Sequence, residues 1–222
     1  MSSDPPRRLP RPKPLIAALL FVAFFGGSCT VQKVLGPAET PSDQEIGRLL
    51  ESYVPDAEAR PKLVAATQTM LVEQARVRER FQSFATLFGL ALLTLYSFTF
   101  LRSLRAWSFA ADAARPLSKV AMLVLPARVA VAAVDLATAK ALEPATRAMA
   151  TVFAQAQPAA VPADQAEAVS RALTAAAPWA MASIDLGSAV AVCVLFHFAW
   201  RYFQRPDVVA LYERPMGTTP GA

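Results

Sequence analysis

One histidine, His197, and two cysteines, Cys29 and Cys193, are all the imidazole and thiol side chains this chain holds. A structural zinc site needs about four such ligands, so a metal centre of that kind is excluded. Enzyme signatures are missing as well. There is no glycine loop to cradle phosphate, no His-Glu-x-x-His and no Gly-x-Ser-x-Gly. A Cys–His pair would have to use Cys193 and His197, one turn apart in an apolar stretch that disfavours the thiolate. The expectation is a protein that is not an enzyme and needs no cofactor or metal.

Charge is also scarce. Charged residues make up 18% of the chain, against roughly 25% in ordinary soluble domains. Hydrophobic residues reach 55% and gather into long runs, the mark of a membrane protein. The net charge of +5 does not point to nucleic acid, because the arginines and lysines stand at the ends of the apolar runs, where they orient helices in a bilayer. The lipid bilayer is therefore the expected partner. Arginine outnumbers lysine and alanine is abundant, as in a GC-rich bacterial genome.

The fold class is all-α, a polytopic helical membrane protein with four spans and short extracytoplasmic amphipathic helices. A disordered basic tail, residues 1–13, precedes a first span at 14–32. The proline-rich basic stretch "PRRLPRPKP" reads as a topology-fixing leader that touches anionic lipid. Residues 33–82 form an outer helical segment, and the second span covers 83–101 within the uncharged run from Phe81 to Leu101. A cytoplasmic loop, 102–118, leads to a third span at 119–139. A second outer segment, 140–178, leads to a fourth span at 179–200, with Trp179 and Trp200 as interfacial anchors. A cytoplasmic tail, 201–222, is expected to lay Val208, Val209, Leu211 and Tyr212 on the lipid interface. The third span is energetically marginal. It contains Pro126, Arg128 and Asp135, and an arginine at mid-membrane costs about 2.5–3.5 kcal/mol on the insertion scale.

The outer segments carry their own pattern. "SDQE" is a capping box, Ser42 with Glu45, followed by Ile46, Leu49, Leu50 and Tyr53 on one helical face ending near Pro55. A second helix bearing Leu63, Met70, Val77, Phe81, Phe84 and Phe88 runs unbroken into the second span. Residues 140–178 read as two short helices around "QPAAVPADQ", lined by Met149, Val152 and Phe153 and by Val169 and Leu173. These stripes pack into a small cap whose outer face is free to dock another envelope protein.

Candidate functional residues are the intramembrane charges. Arg128 and Asp135 share a helix face two turns apart, and Asp185 on the fourth span can meet either. Such charges serve structural pairing and assembly, or a proton or ion pathway. Ser183, Gly187 and Ala191 form a small-xxx-small ladder that permits close helix packing, with Ala23 and Gly27 as a weaker match in the first span. "FFGGSC" before Cys29 resembles a lipoprotein signal, a possible lipidation site. Gly26 stands where leucine is usual, and "TVQKVL" after Cys29 is unusually apolar, so an uncleaved first helix is favoured. A lipid-anchored three-span protein is the alternative. His197 reads as an interfacial anchor, and Cys29 and Cys193 fall at different depths, which disfavours a disulfide.

The functional expectation is a non-enzymatic component of a bacterial cell envelope, structural, assembly or accessory. It sits in the inner membrane with both termini cytoplasmic, and its partners are other envelope proteins or further copies of itself. A small transporter or channel subunit using Arg128, Asp135 and Asp185 is the alternative. An even number of spans puts the three basic stretches on one side; Arg76, Arg78 and Arg80, on the opposite side, run against that rule. A reporter that is active only outside the cytoplasm should work after residue 140 and stay silent at the C-terminus. Activity at the C-terminus would overturn the four-span threading.

Overall fold

The computed structural model describes residues 12–35, 41–51, 58–110, 112–155 and 163–213. Every regular element among them is an α-helix: α1 (Lys13–Leu35), α2 (Asp43–Glu51), α3 (Arg60–Trp107), α4 (Ala114–Gln155), α5 (Ala163–Phe203) and α6 (Pro206–Glu213). Helices α1, α3, α4 and α5 are long and apolar enough to cross a membrane, consistent with an integral membrane protein. The basic leader, Tyr53, Pro55, most of "QPAAVPADQ" and Arg214 lie outside the described residues.

Several boundaries differ from the sequence expectation. The loop expected over 102–118 shrinks to residues 108–113, because α3 continues to Trp107 and α4 starts at Ala114. This tight connection uses two left-handed residues, Phe109 at φ 52° and Asp112 at φ 61°. The marginal third span belongs to an unbroken α4, whose most apolar stretch matches that of α1 and exceeds those of α3 and α5. A run of Val, Leu, Met and Ala outweighs the break signal of Pro126, which removes one backbone hydrogen bond and crowds the carbonyl one turn earlier. The two short helices expected over 140–178 are not separate elements. They are the end of α4 and the start of α5, and the latter runs through Pro178.

The helices build two compact units. The first comprises the described parts of Met1–Leu35, Phe88–Ala130 and Ala189–Ala222. Its interior is made of columns spaced three and four residues apart. These are Ile16, Leu19 and Ala23 on α1; Leu92, Tyr96, Thr99, Ser103 and Ala106 on α3; Leu117, Ala121, Val124 and Arg128 on α4; and Phe196, Ala199 and Phe203 on α5. That alternation keeps one stripe per helix facing its neighbours, as in left-handed bundles. The outward stripes are just as apolar: Phe24, Phe98, Leu101, Val129, Val190 and Phe198 are all exposed. Hydroxyls on these stripes bond their own helix, as Thr94 and Ser97 do with the carbonyls of Leu90 and Leu93. They therefore present no unpaired donor to an apolar surrounding.

Contacts bring four helix ends together at one end of this unit. The Lys13 ammonium lies 5.8 Å from the Trp107 ring centre, and the Ser118 hydroxyl donates to the Trp200 carbonyl at 3.4 Å. Helix α6 closes the same end. Val208 and Tyr212 are fully buried. The Tyr212 ring stacks on Phe109 and meets Phe203 edge-on, and its hydroxyl donates to the Ala106 carbonyl at 3.4 Å. Arg115 and Glu213 pair across α4 and α6 at 2.7 Å. The expectation that Val208 and Tyr212 lie on lipid is thus corrected: their side chains are buried in the bundle, Tyr212 against Phe109 and Phe203, because α6 folds back onto its helix ends.

The second unit comprises the described parts of Gly36–Leu87 and Val131–Ser188. The capping box forms as a reciprocal pair. The Ser42 backbone N–H and hydroxyl donate to the Glu45 carboxylate at 2.8 and 2.9 Å, and the Glu45 N–H reaches the Ser42 oxygen at 3.4 Å. These bonds, the backbone one foremost, hold the Glu45 carboxyl below its usual range. Leu63 is the buried centre of the cap, packed by Leu50, Ala59, Val152 and Phe153. The Gln68 amide ties α3 to the start of α2 through Pro41 and Asp43. Leu49, Val169 and Leu173, expected on packed faces, are exposed instead.

Burial pushes the Tyr212 phenol up to about 12 from the ordinary 10.0. The folded chain thus holds this proton more tightly than the unfolded one. Its contribution is complete below pH 10.0 and is lost as pH rises through about 12. Thermal melts should show Tyr212→Ala losing about 3–5 kcal/mol. Tyr212→Phe should lose about 1 kcal/mol or less and should lack the tyrosine-linked alkaline loss.

Candidate functional site around Arg128

Arg128 occupies a core position of α4, one turn after Val124, and is 9% exposed. Two other helices of the first unit supply its polar surroundings: the Tyr96 phenol of α3 and the Cys193 thiol of α5 are both within electrostatic range of the guanidinium. Cys29 of α1 is within range of the Tyr96 phenol. The three other bundle helices thus each place one polar group within electrostatic range of Tyr96. Both cysteines are free thiols, Cys29 exposed and Cys193 half-buried. A fixed cation in such a setting can hold an anionic or dipolar group of the protein or of a solute.

Asp135 and Asp185 are half-buried and belong to the second unit. Neither they nor Arg128 is without an interaction partner. Tyr96 was not singled out from the sequence, although its register with Leu92, Thr99 and Ser103 marks it as inward-facing. Among the described residues no three His, Cys, Asp or Glu side chains gather in a way that would hold a metal ion. His197 is exposed, its ring beside Phe198 and Trp200.

The small residues divide into two kinds. Gly26 and Gly89 are sites of close approach between α1 and α3. A Cβ on Gly26 would meet the Tyr96 ring at 2.9 Å, and one on Gly89 would meet a Val34 methyl at 2.5 Å. Gly27 has looser neighbours, Leu93 and Tyr96 at 3.9 and 4.0 Å. On α5 the Ser183, Gly187 and Ala191 ladder is exposed, and a Cβ on Gly187 would meet nothing within 4 Å. Two glycines thus set the α1–α3 spacing, whereas the α5 ladder is not used within the described chain.

No protein-family model, curated protein or solved structure matches this chain.

Overpacking a close helix crossing costs about 1–3 kcal/mol. Gly26→Ala and Gly89→Ala should each lower the unfolding midpoint of the detergent-solubilised chain. Gly187→Ala, with open space for its methyl, should not lower it.

Proposed function

We propose that this protein is a non-enzymatic integral membrane component of a bacterial cell envelope that assembles with, or supports, other membrane proteins. The observation that carries this reading is the open α5 ladder. Between membrane-embedded helices the hydrophobic effect supplies no drive, and small residues permit the close contact that does. Ser183, Gly187 and Ala191 offer such a surface, with nothing of the described chain against Gly187. The partner is a transmembrane helix of another envelope protein or of a second copy.

Both ends of the described chain lie at one end of the first unit, together with Lys13, Arg102, Arg105, Lys119, Arg201 and Arg205. The positive-inside rule supports an inner-membrane protein with this end cytoplasmic. Of the contrary arginines, Arg76 pairs with Glu73 at 2.8 Å and Arg78 has an interaction partner. An uncleaved α1 is supported by its continuity through Cys29 to Leu35 and by the packing of Val34 against Gly89. Cleavage before Cys29 would remove Gly26 and with it the close packing of α1 on the Tyr96 ring. The competing reading, a small transporter or channel subunit using Arg128, Asp135 and Asp185, draws on the burial of Arg128.

In-cell crosslinking with native gels separates the two readings. Gly187→Ile should dissolve the crosslinked complexes while the chain still accumulates and melts as before. Intact complexes in that variant would sink the assembly reading. Loss of solute flux with complexes intact in Arg128→Gln would favour transport.

A further inference from the structure

A cleft of about 490 Å³ opens at the basic end of the first unit, between the start of α4, the end of α5 and α6. Its volume falls in the ~300–1,000 Å³ range of small-molecule sites. Arg115 and Lys119 line it from successive turns of one α4 face, and Phe203, Pro206 and Val209 give it apolar walls. Glu213 also lines it and engages Arg115 at 2.7 Å. Lys119 has no carboxylate partner among the described residues. The three charges leave one uncompensated positive charge in the cleft.

We propose that this cleft holds the phosphodiester headgroup of a monoanionic phospholipid, with Lys119 as its cation. The single net charge matches the single charge of a phosphodiester. The depth matches too, because Phe203 ends the apolar span of α5, which puts the cleft at headgroup level. The surface next to Lys119 favours a lipid over free phosphate. One turn further along α4, Met122 and Leu123 are 45% and 49% exposed, an apolar track on which acyl chains can lie. Arg102 and Arg105 raise the local potential for anions, as basic residues at a cytoplasmic membrane face do. The inference rests on the integral-membrane reading above.

The test uses the full chain in detergent micelles doped with phosphatidylglycerol or phosphatidylcholine, with retained lipid counted by native mass spectrometry. One uncompensated lysine near a membrane surface corresponds to about a fivefold preference for the anionic lipid. Lys119→Gln should abolish that preference. Arg201→Gln, at the same end but outside the cleft, should keep it. Equal retention of both lipids by the unmodified chain overturns the proposal, and so does equal loss in the two variants. Displacement of phosphatidylglycerol by excess inorganic phosphate overturns the lipid assignment. An alkaline wash of membranes separates the two levels. A chain released by the wash sinks the integral-membrane reading, whereas one that stays but shows no lipid preference sinks only the headgroup site.

Discussion

Helices whose outward faces carry phenylalanine and leucine are stable only where those faces meet hydrocarbon or another apolar surface. The rest of the structure depends on that constraint. Phe24, Phe98, Leu101 and Phe198 look outward from the first unit, so outward apolarity cannot tell one helix face from another. The interior must be distinguished by shape instead. It is built from small or tightly fitting residues, with Gly26 against Tyr96 and Gly89 against Val34. Serine and threonine hydroxyls fold back on carbonyls one turn earlier, as Thr30 does on Gly26 and Thr99 on Leu95. Both of these donors are satisfied within their own helix, as suits a surrounding without water; the buried Ser103 hydroxyl has no such partner.

Within that frame, the two places with chemical character are polar groups held in apolar settings. Arg128 stands in a core column, with the Tyr96 phenol and Cys193 thiol within electrostatic range. The cleft by α6 depends on a different arrangement. Arg115, Lys119 and Glu213 meet there because α6 folds back onto the bundle instead of trailing away. The anchor of that fold-back is Tyr212, buried between Phe109 and Phe203 with its hydroxyl on the Ala106 carbonyl. Asp207, at the start of α6, is held below the usual carboxylate range chiefly by its bond from Arg205. That pair ties the Arg205 turn between α5 and α6 to the first turn of α6.

Much of the architecture was legible beforehand, and the reason is local. A charge-free run of twenty residues specifies a helix of membrane length without reference to anything else, and Ser42 with Glu45 specifies a cap from four residues. Boundaries were less legible where two local signals compete. Pro126 and Pro178 mark breaks by propensity, yet α4 and α5 run through them, since the rest of a long apolar helix outweighs the lost hydrogen bond and the crowded carbonyl at each. The short 108–113 connection was hidden because Arg102, Arg105 and Arg115 look like loop residues. In fact they extend the helices beyond the apolar core.

By itself the sequence determined the class of the protein: all-helical, four helices of membrane-spanning length, basic residues at their ends and few catalytic side chains. These follow from the order of residues along a single helix, which neighbours do not alter. Only the tertiary structure decided which small residues are filled and which stand open, as with Gly26 and Gly89 against Gly187. It likewise decided that Val208 and Tyr212 are buried, that Arg128 stands in a core column, and that Lys119 borders a cleft. Each of these depends on the rotation of one helix against another. A sequence in which lipid-facing and core-facing residues are equally apolar carries little record of that angle.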